Sequence, residues 1–229
     1  MARIPDRVSV PDRVSIRDRY LAVDTANVGD VLDELGLLDQ SLGTDLLDLG
    51  TGRVAGFAYT ITGELVPSDT TGDPRKMEAC NGVSEAEVTV WAGGATGVCY
   101  FGELIALGMM ERGCVGAVVD GGVRDVRWLR EHGFAVRARY RSPTQSIKRW
   151  AVTQWQIPVF VPGATSRHVV VSPGDFVLGD EDGVIVVPAD RVEEVLVRAE
   201  EMTRTEEEIR QALRGGLSLS AALERFGHV

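Results

Sequence analysis

The chain is short of the residues that most often announce a site. Its three cysteines, Cys80, Cys99 and Cys114, have no CxxC spacing, which excludes a zinc ribbon or a paired redox motif and fits free thiols in a reducing cytoplasm. Its three histidines, His132, His168 and His228, show no zinc-ligand spacing, so each reads as a surface or packing residue. No run approaches the roughly 20 apolar residues of a membrane span, and the first residues lack the basic-then-apolar pattern of a secretory leader. Positive charge is scarce as well: the net charge of −10 argues against a broad phosphate-binding surface, so nucleic acid is not an expected partner. GGATG at Gly93 lacks the GK[ST] of a P-loop and the glycine order of a dinucleotide fingerprint, and no GxSxG elbow exists. Asp180 to Gly183 opens like a calcium loop but has no twelfth-position Glu, and reads as a hairpin turn.

What is present suits one large domain with an appendage: 229 residues, 44% hydrophobic. We expect an N-terminal arm over residues 1–23, an α/β domain over 24–189 and a helical extension over 190–229. The arm holds a near-duplicate, PDRVSV at Pro5 to Val10 and PDRVSI at Pro11 to Ile16, read as extended or mobile chain. Asp24 and Thr25 offer caps for a helix with Val28, Val31, Leu32 and Leu35 on its apolar face, closed by Gly36. Gly52 to Leu65 alternates like a strand with one polar edge. Ser68 to Gly82 reads as a surface loop with room for a short helix around Lys76, and Arg139 to Trp155 resists placement. Val159 to Val161, His168 to Val171, Phe176 to Leu178 and Val184 to Val187 read as strands, the last two as a hairpin. Asp190 and Glu193 are spaced as a capping box for a long charged helix ending at Gly215 and Gly216. Its half beyond Thr203 is expected to project and pack on another subunit, with Ser218 or Ser220 capping a last short helix.

The chemistry concentrates between Gly93 and Gly133. Val88 to Trp91 is a strand, Gly93, Gly94 and Gly97 a turn, and Gly102 to Arg112 a helix with Leu104, Ile105, Gly108 and Met109 inward. Val115 to Val119 is then a buried strand that Asp120, Gly121 and Gly122 are expected to break. This is a right-handed βαβ unit. It puts Glu103 at one helix opening and Arg124 with Asp125 at the next, both facing one crevice at the carboxyl ends of strands. Backbone N–H groups from Gly102 to Ile105 can hold an oxyanion, Arg124 can grip a carboxylate bidentately, and Asp125 with Glu103 can anchor a hard cation, Mg²⁺ rather than Zn²⁺. A small keto-acid fits that set.

GELI at Gly102 to Ile105, the twenty residues between Glu103 and Arg124, and VVDGGVRD at Val118 to Asp125 together resemble the RraA-like family, which includes the 4-hydroxy-4-methyl-2-oxoglutarate/4-carboxy-4-hydroxy-2-oxoadipate aldolases. The similarity runs from about Thr25 to Leu213, through DTANVGDVLDELG, GFAYTI near Gly56 and PGDFVLGDEDGVIVVP at Pro173. The family often has Asp where this chain has Glu103, a reach longer by one methylene. The resemblance implies a swivelling β/β/α domain with a projecting C-terminal helix, assembled as a homotrimer or hexamer. It implies a class II pyruvate aldolase using Mg²⁺ or Mn²⁺, which also decarboxylates oxaloacetate. Asp125 would bind the metal, Glu103 would hold a metal-bound water, and Gly102, Glu103, Leu104, Ile105 and Arg124 would bind the pyruvyl part. An acid from a neighbouring subunit's C-terminal helix, Glu206 or else Glu207, would reach the site. The alternative from another class is a non-catalytic protein-binding regulator of the ribonuclease E inhibitor type.

Overall fold

The computed structural model describes residues 10–66 and 71–227. Its first element, α1 (Val10–Tyr20), corrects the expectation of an extended arm. Pro11 falls in the first turn, where its missing N–H costs nothing, and Arg13, Ile16 and Tyr20 then recur at helical spacing and are buried. Tyr20 stacks on Phe176 at 4.1 Å and donates its hydroxyl to the Val192 carbonyl at 2.8 Å. Arg13 forms a buried ion pair with Glu87 at 3.2 Å. The first copy of the duplicate lies outside the described residues apart from Val10. In α2 (Thr25–Glu34) Val28, Val31 and Leu32 are buried as their spacing predicts.

After β1 (Leu47–Asp48) comes β2 (Val54–Leu65), whose first eight residues are buried on both faces, so the expected polar edge is confined to its end. The chain continues through α3 (Pro74–Asn81), β3 (Glu87–Ala92), β4 (Cys99–Phe101), α4 (Glu103–Met110), β5 (Cys114–Val123) and α5 (Val126–Glu131). It then forms β6 (Ala135–Arg141), β7 (Trp150–Trp155), β8 (Val159–Val161), β9 (Val169–Val171), β10 (Phe176–Gly179) and β11 (Val184–Val187). The chain ends in α6 (Val192–Arg214) and α7 (Leu219–Phe226).

Among the described residues one curled sheet carries nine strands in the order β1-β6-β5-β3-β2-β10-β11, with β4 added beside β5 and β7 beside β2. The β2–β3, β3–β5, β4–β5 and β5–β6 pairs are parallel. The hairpin of β10 and β11 closes as expected, Gly179 opposite Val184. One face of this half-barrel is filled by valines such as Val54, Val88, Val90, Val118 and Val186, under the β8–β9 ribbon. On the other face α1, α2 and α6 cover one end, and α3, α4 and α5 cover the end that carries the site.

Two further expectations change. Asp120, Gly121 and Gly122 do not break β5, which runs on to Val123. A Cβ on Gly121 would lie 2.2 Å from the Tyr100 ring and one on Gly122 2.5 Å from the Tyr140 ring, so these glycines admit aromatic neighbours instead of making a turn. No capping box forms either, because α6 starts at Val192 with Arg191 at its N-cap and no side-chain cap bond. The far half of α6 is partly covered by its own chain: α7 folds back, capped by Ser218, and Ile209 and Ala222 are buried. Among the described residues no helix is long and apolar enough to cross a membrane.

Candidate active site

The site begins where two parallel strands end together. Phe101 of β4 pairs with Val123 of β5, and the Arg124 N–H donates to the Phe101 carbonyl at 3.0 Å. Beyond Phe101 the chain enters α4; beyond Val123 it turns through Asp125, which is left-handed at φ 57°, a conformation Asp tolerates better than most residues. So turned, Asp125 Oδ2 accepts the Glu103 N–H at 3.1 Å and lies 3.4 Å from Arg124 Nε. The carboxylate of one strand end thus caps the helix of the other, where its charge is favoured by the helix dipole. Gly102 makes room for it: a Cβ there would lie 2.6 Å from Asp125 Oδ2 and 2.9 Å from Arg124 Cγ.

The two helix openings therefore meet as their sequence predicts, although the strand beside β5 at this point is β4, three residues long and hidden behind the glycine run, and not β3. Of the amides from Gly102 to Ile105, the Glu103 N–H is taken by Asp125, which leaves those of Leu104 and Ile105 free at the helix start. The Leu104 side chain, expected inward, is 76% exposed, while Ala106 and Met109 carry the buried side of α4 and Ile105 packs against it. Glu206 is held by Arg210 at 2.9 Å on α6 and does not line the cavity described next. Glu207 pairs with the same arginine at 2.7 Å.

Arg124 and Asp125 stand at the wall of a cavity of about 300 Å³ closed by α3, α4 and the segment before β7. Two stretches without a clear sequence pattern supply that wall: Gly72, Asp73, Lys76 and Met77 from one, Gln145, Ser146 and Ile147 from the other. On its other side the Arg124–Asp125 pair borders a cleft lined by Arg141, Ser142 and Pro143. Asp73 anchors α3, its two carboxylate oxygens accepting the N–H groups of Lys76 (3.0 Å) and Val152 (2.9 Å). Lys76, only 6% exposed, donates its ammonium to the Tyr100 carbonyl and to Ser146 Oγ (3.4 Å), and sits over the rings of Trp91 and Trp150 at 5.5 and 5.8 Å. Burial pulls this ammonium down from its ordinary pKa, and Arg124 adds to the pull. Sequence reasoning passed over Lys76 because it lies in a polar, glycine-broken stretch; the signal was its i, i+3, i+4 spacing to Ala79 and Cys80, which share its buried face. The Cys99 thiol, also in the wall, is raised by burial, and those of Cys80 and Cys114 are pushed up to about 12.

Among the described residues no group of three or more His, Cys, Asp and Glu side chains is placed to hold a metal ion. Asp125 lines the cavity with a carboxylate, a hard oxygen donor of the kind Mg²⁺ takes when water supplies most of its shell, whereas Glu103 meets Asp125 through its backbone N–H and is not among the residues lining the cavity.

A family model for RraA-like proteins, described as Aldolase/RraA, matches residues 25–186. The chain belongs to the RraA-like family. Several relatives in this family carry the name 4-hydroxy-4-methyl-2-oxoglutarate aldolase, among them that of Thermus thermophilus, 35% identical over 96 residues, or 42% of this chain and 55% of the relative. The chain aligns with only part of the curated relatives it matches, 32%, 56% and 61% of the length of three of them. A solved structure of a Pseudomonas syringae protein shares the fold at a TM-score of 0.78 and 25% identity, covering 95% of this chain and 98% of that one. The RNA-processing inhibitor RraA from Thermus is similar at a TM-score of 0.55 and 26% identity, covering 70% and 92%.

Proposed function

We propose that the chain is a divalent-metal-dependent class II aldolase that cleaves a 4-hydroxy-2-oxo diacid to pyruvate and a second keto-acid, and that also decarboxylates oxaloacetate. The observation that carries this reading is the Asp125 carboxylate held at the start of α4 beside the Arg124 guanidinium, at the wall of a cavity of about 300 Å³, in a family whose members bear the aldolase name. Asp125 and Glu103 would hold Mg²⁺ or Mn²⁺, which when bound supplies Lewis-acid charge for the enolate that carbon–carbon cleavage leaves. Arg124 takes the carboxylate of the oxo-acid end in a bidentate pair, and the Leu104 and Ile105 amides orient that end. Glu103 accepts the C4 hydroxyl proton through a water as the C3–C4 bond breaks, and C3 is then reprotonated to give pyruvate. Loss of CO₂ from oxaloacetate leaves the same enolate. A homotrimer or hexamer would bring Glu206 of the partner subunit to the cavity's mouth; exposed Met77 and Leu104 (45% and 76%) give that mouth an apolar rim suited to such a contact.

The test is pyruvate release from oxaloacetate and from 4-hydroxy-4-methyl-2-oxoglutarate, coupled to lactate dehydrogenase, with Mg²⁺ and then with excess chelator. We expect turnover that the chelator abolishes, and loss of turnover in Arg124→Ala and Asp125→Ala. Likeness to the inhibitor RraA favours a second reading, a protein-binding regulator; absence of turnover on both substrates at any Mg²⁺ concentration would remove the first reading in its favour.

A further inference from the structure

The cavity contains a cation that the reaction outlined above does not use. Four charged side chains line it: Asp73, Lys76, Arg124 and Asp125. Arg124 and Asp125 lie against each other at 3.4 Å, and both oxygens of Asp73 are occupied by backbone N–H groups. The Lys76 ammonium therefore has no carboxylate within ion-pair distance among the described residues; its partners are a carbonyl, a hydroxyl and two indole faces. A buried ammonium with only neutral partners is costly. Asp73 acts on it only from beyond ion-pair distance, so an anion entering the cavity could give it the direct charged partner it lacks. Lys76 and Ser146 come from the two segments that close the cavity and Arg124 from the strand end that completes its wall, so two cations line one space of about 300 Å³.

We propose that Lys76 is a specificity-determining residue that binds the distal carboxylate of a dicarboxylic 2-oxo acid, with Ser146 steadying the ammonium and Arg124 holding the opposite, oxo-acid end. The inference rests on the keto-acid reading of the site and names what that reading leaves open, the feature that separates diacids from monoacids.

The test uses the full chain with Mg²⁺ and two uncleaved probes, pyruvate with one carboxylate and 2-oxoglutarate with two, titrated by calorimetry. Loss of a charge-assisted hydrogen bond predicts that Lys76→Met weakens 2-oxoglutarate by about 10- to 100-fold, with pyruvate within about two-fold of wild type and Lys76→Arg recovering part of the loss. If Lys76→Met does not fold, Ser146→Ala should give a loss of roughly 2- to 10-fold confined to the diacid, the weight of one neutral hydrogen bond. Equal effects on both probes, or none on either, would overturn the proposal, and so would borohydride trapping of a pyruvate imine on Lys76, since that nitrogen would then be a nucleophile. Lys76-dependent diacid binding without pyruvate release sinks the aldolase reading and keeps the diacid pocket. Metal-dependent turnover without diacid discrimination does the reverse.

Discussion

Gly102→Ala is a sharp test of the geometry on which the site depends. Gly102 is extended, at φ −169°, so alanine brings no backbone strain and its effect is purely that of the added methyl. That methyl would lie 2.6 Å from Asp125 Oδ2 and 2.9 Å from Arg124 Cγ. The carboxylate, at the end of a side chain, can swing away, and in doing so it gives up the Glu103 N–H. The bond is partly exposed, so we set its loss at about 1 kcal/mol, or roughly 2–4 °C in Tm for a chain of this size. On the proposed function catalysis should suffer far more, because a displacement of about 1 Å in the carboxylate proposed to hold the cation, with Arg124 pushed alongside it, is worth about 100-fold in rate. Pyruvate release measured over a Mg²⁺ series should show kcat/KM down by about that factor and a weaker apparent Mg²⁺ constant, with the melting curve barely changed. A Gly102→Ala protein with wild-type kcat/KM would refute the assignment of the two helix openings as one site.

Two other expectations concern the frame that carries the site. Glu87→Ala strands the Arg13 guanidinium over Phe57 in the core, and breaking a buried pair in this way should cost about 3 kcal/mol, read as a lower urea midpoint. Burial pushes the Asp180 carboxyl up, but hydrogen bonds from the Thr25 hydroxyl (2.6 Å) and amide (2.8 Å) outweigh it and hold its pKa below the ordinary value. A depressed carboxylate contributes stability above its unfolded pKa, and that contribution is lost as pH falls through the folded one. Thr25→Val should therefore lower Tm at pH 7 and converge with wild type under strong acid; a constant difference across that range would contradict the assignment.

Much of this was legible because hydrophobic spacing reports what a backbone element must bury. Val28, Val31 and Leu32 in α2, and the hairpin on either side of Asp180 to Gly183, follow from local pattern alone. The meeting of the two helix openings, where the Glu103 amide donates to Asp125 beside Arg124, followed from strand, turn and helix order. What escaped depends on contacts distant in sequence. Gly121 and Gly122 look like a turn until Tyr100 and Tyr140 are known to lie against them. Leu104 looks like core because its helix is apolar on most sides, and it faces outward at the cavity's rim. The β4 strand is too short to show a period, and β7 pairs with a strand about ninety residues earlier. Lys76 is charged, and charge in a polar stretch ordinarily signals solvent; only the Trp91 and Trp150 rings and the Tyr100 carbonyl explain its burial.

One strand joins everything else. The first residues of β2, Val54 to Phe57, are bonded to β10, its last, Ile61 to Leu65, to β7, and its opposite edge to β3. Its inward side chains pass from Ala55 and Phe57, under the terminal helices, to Tyr59 and Ile61, under the helices that bear the cavity. The two ends of the molecule are thereby one mechanical piece: loosening α1 or α6 slackens the same ribbon that braces the cavity wall, and the amides of β2 should be the last in the protein to exchange with deuterium.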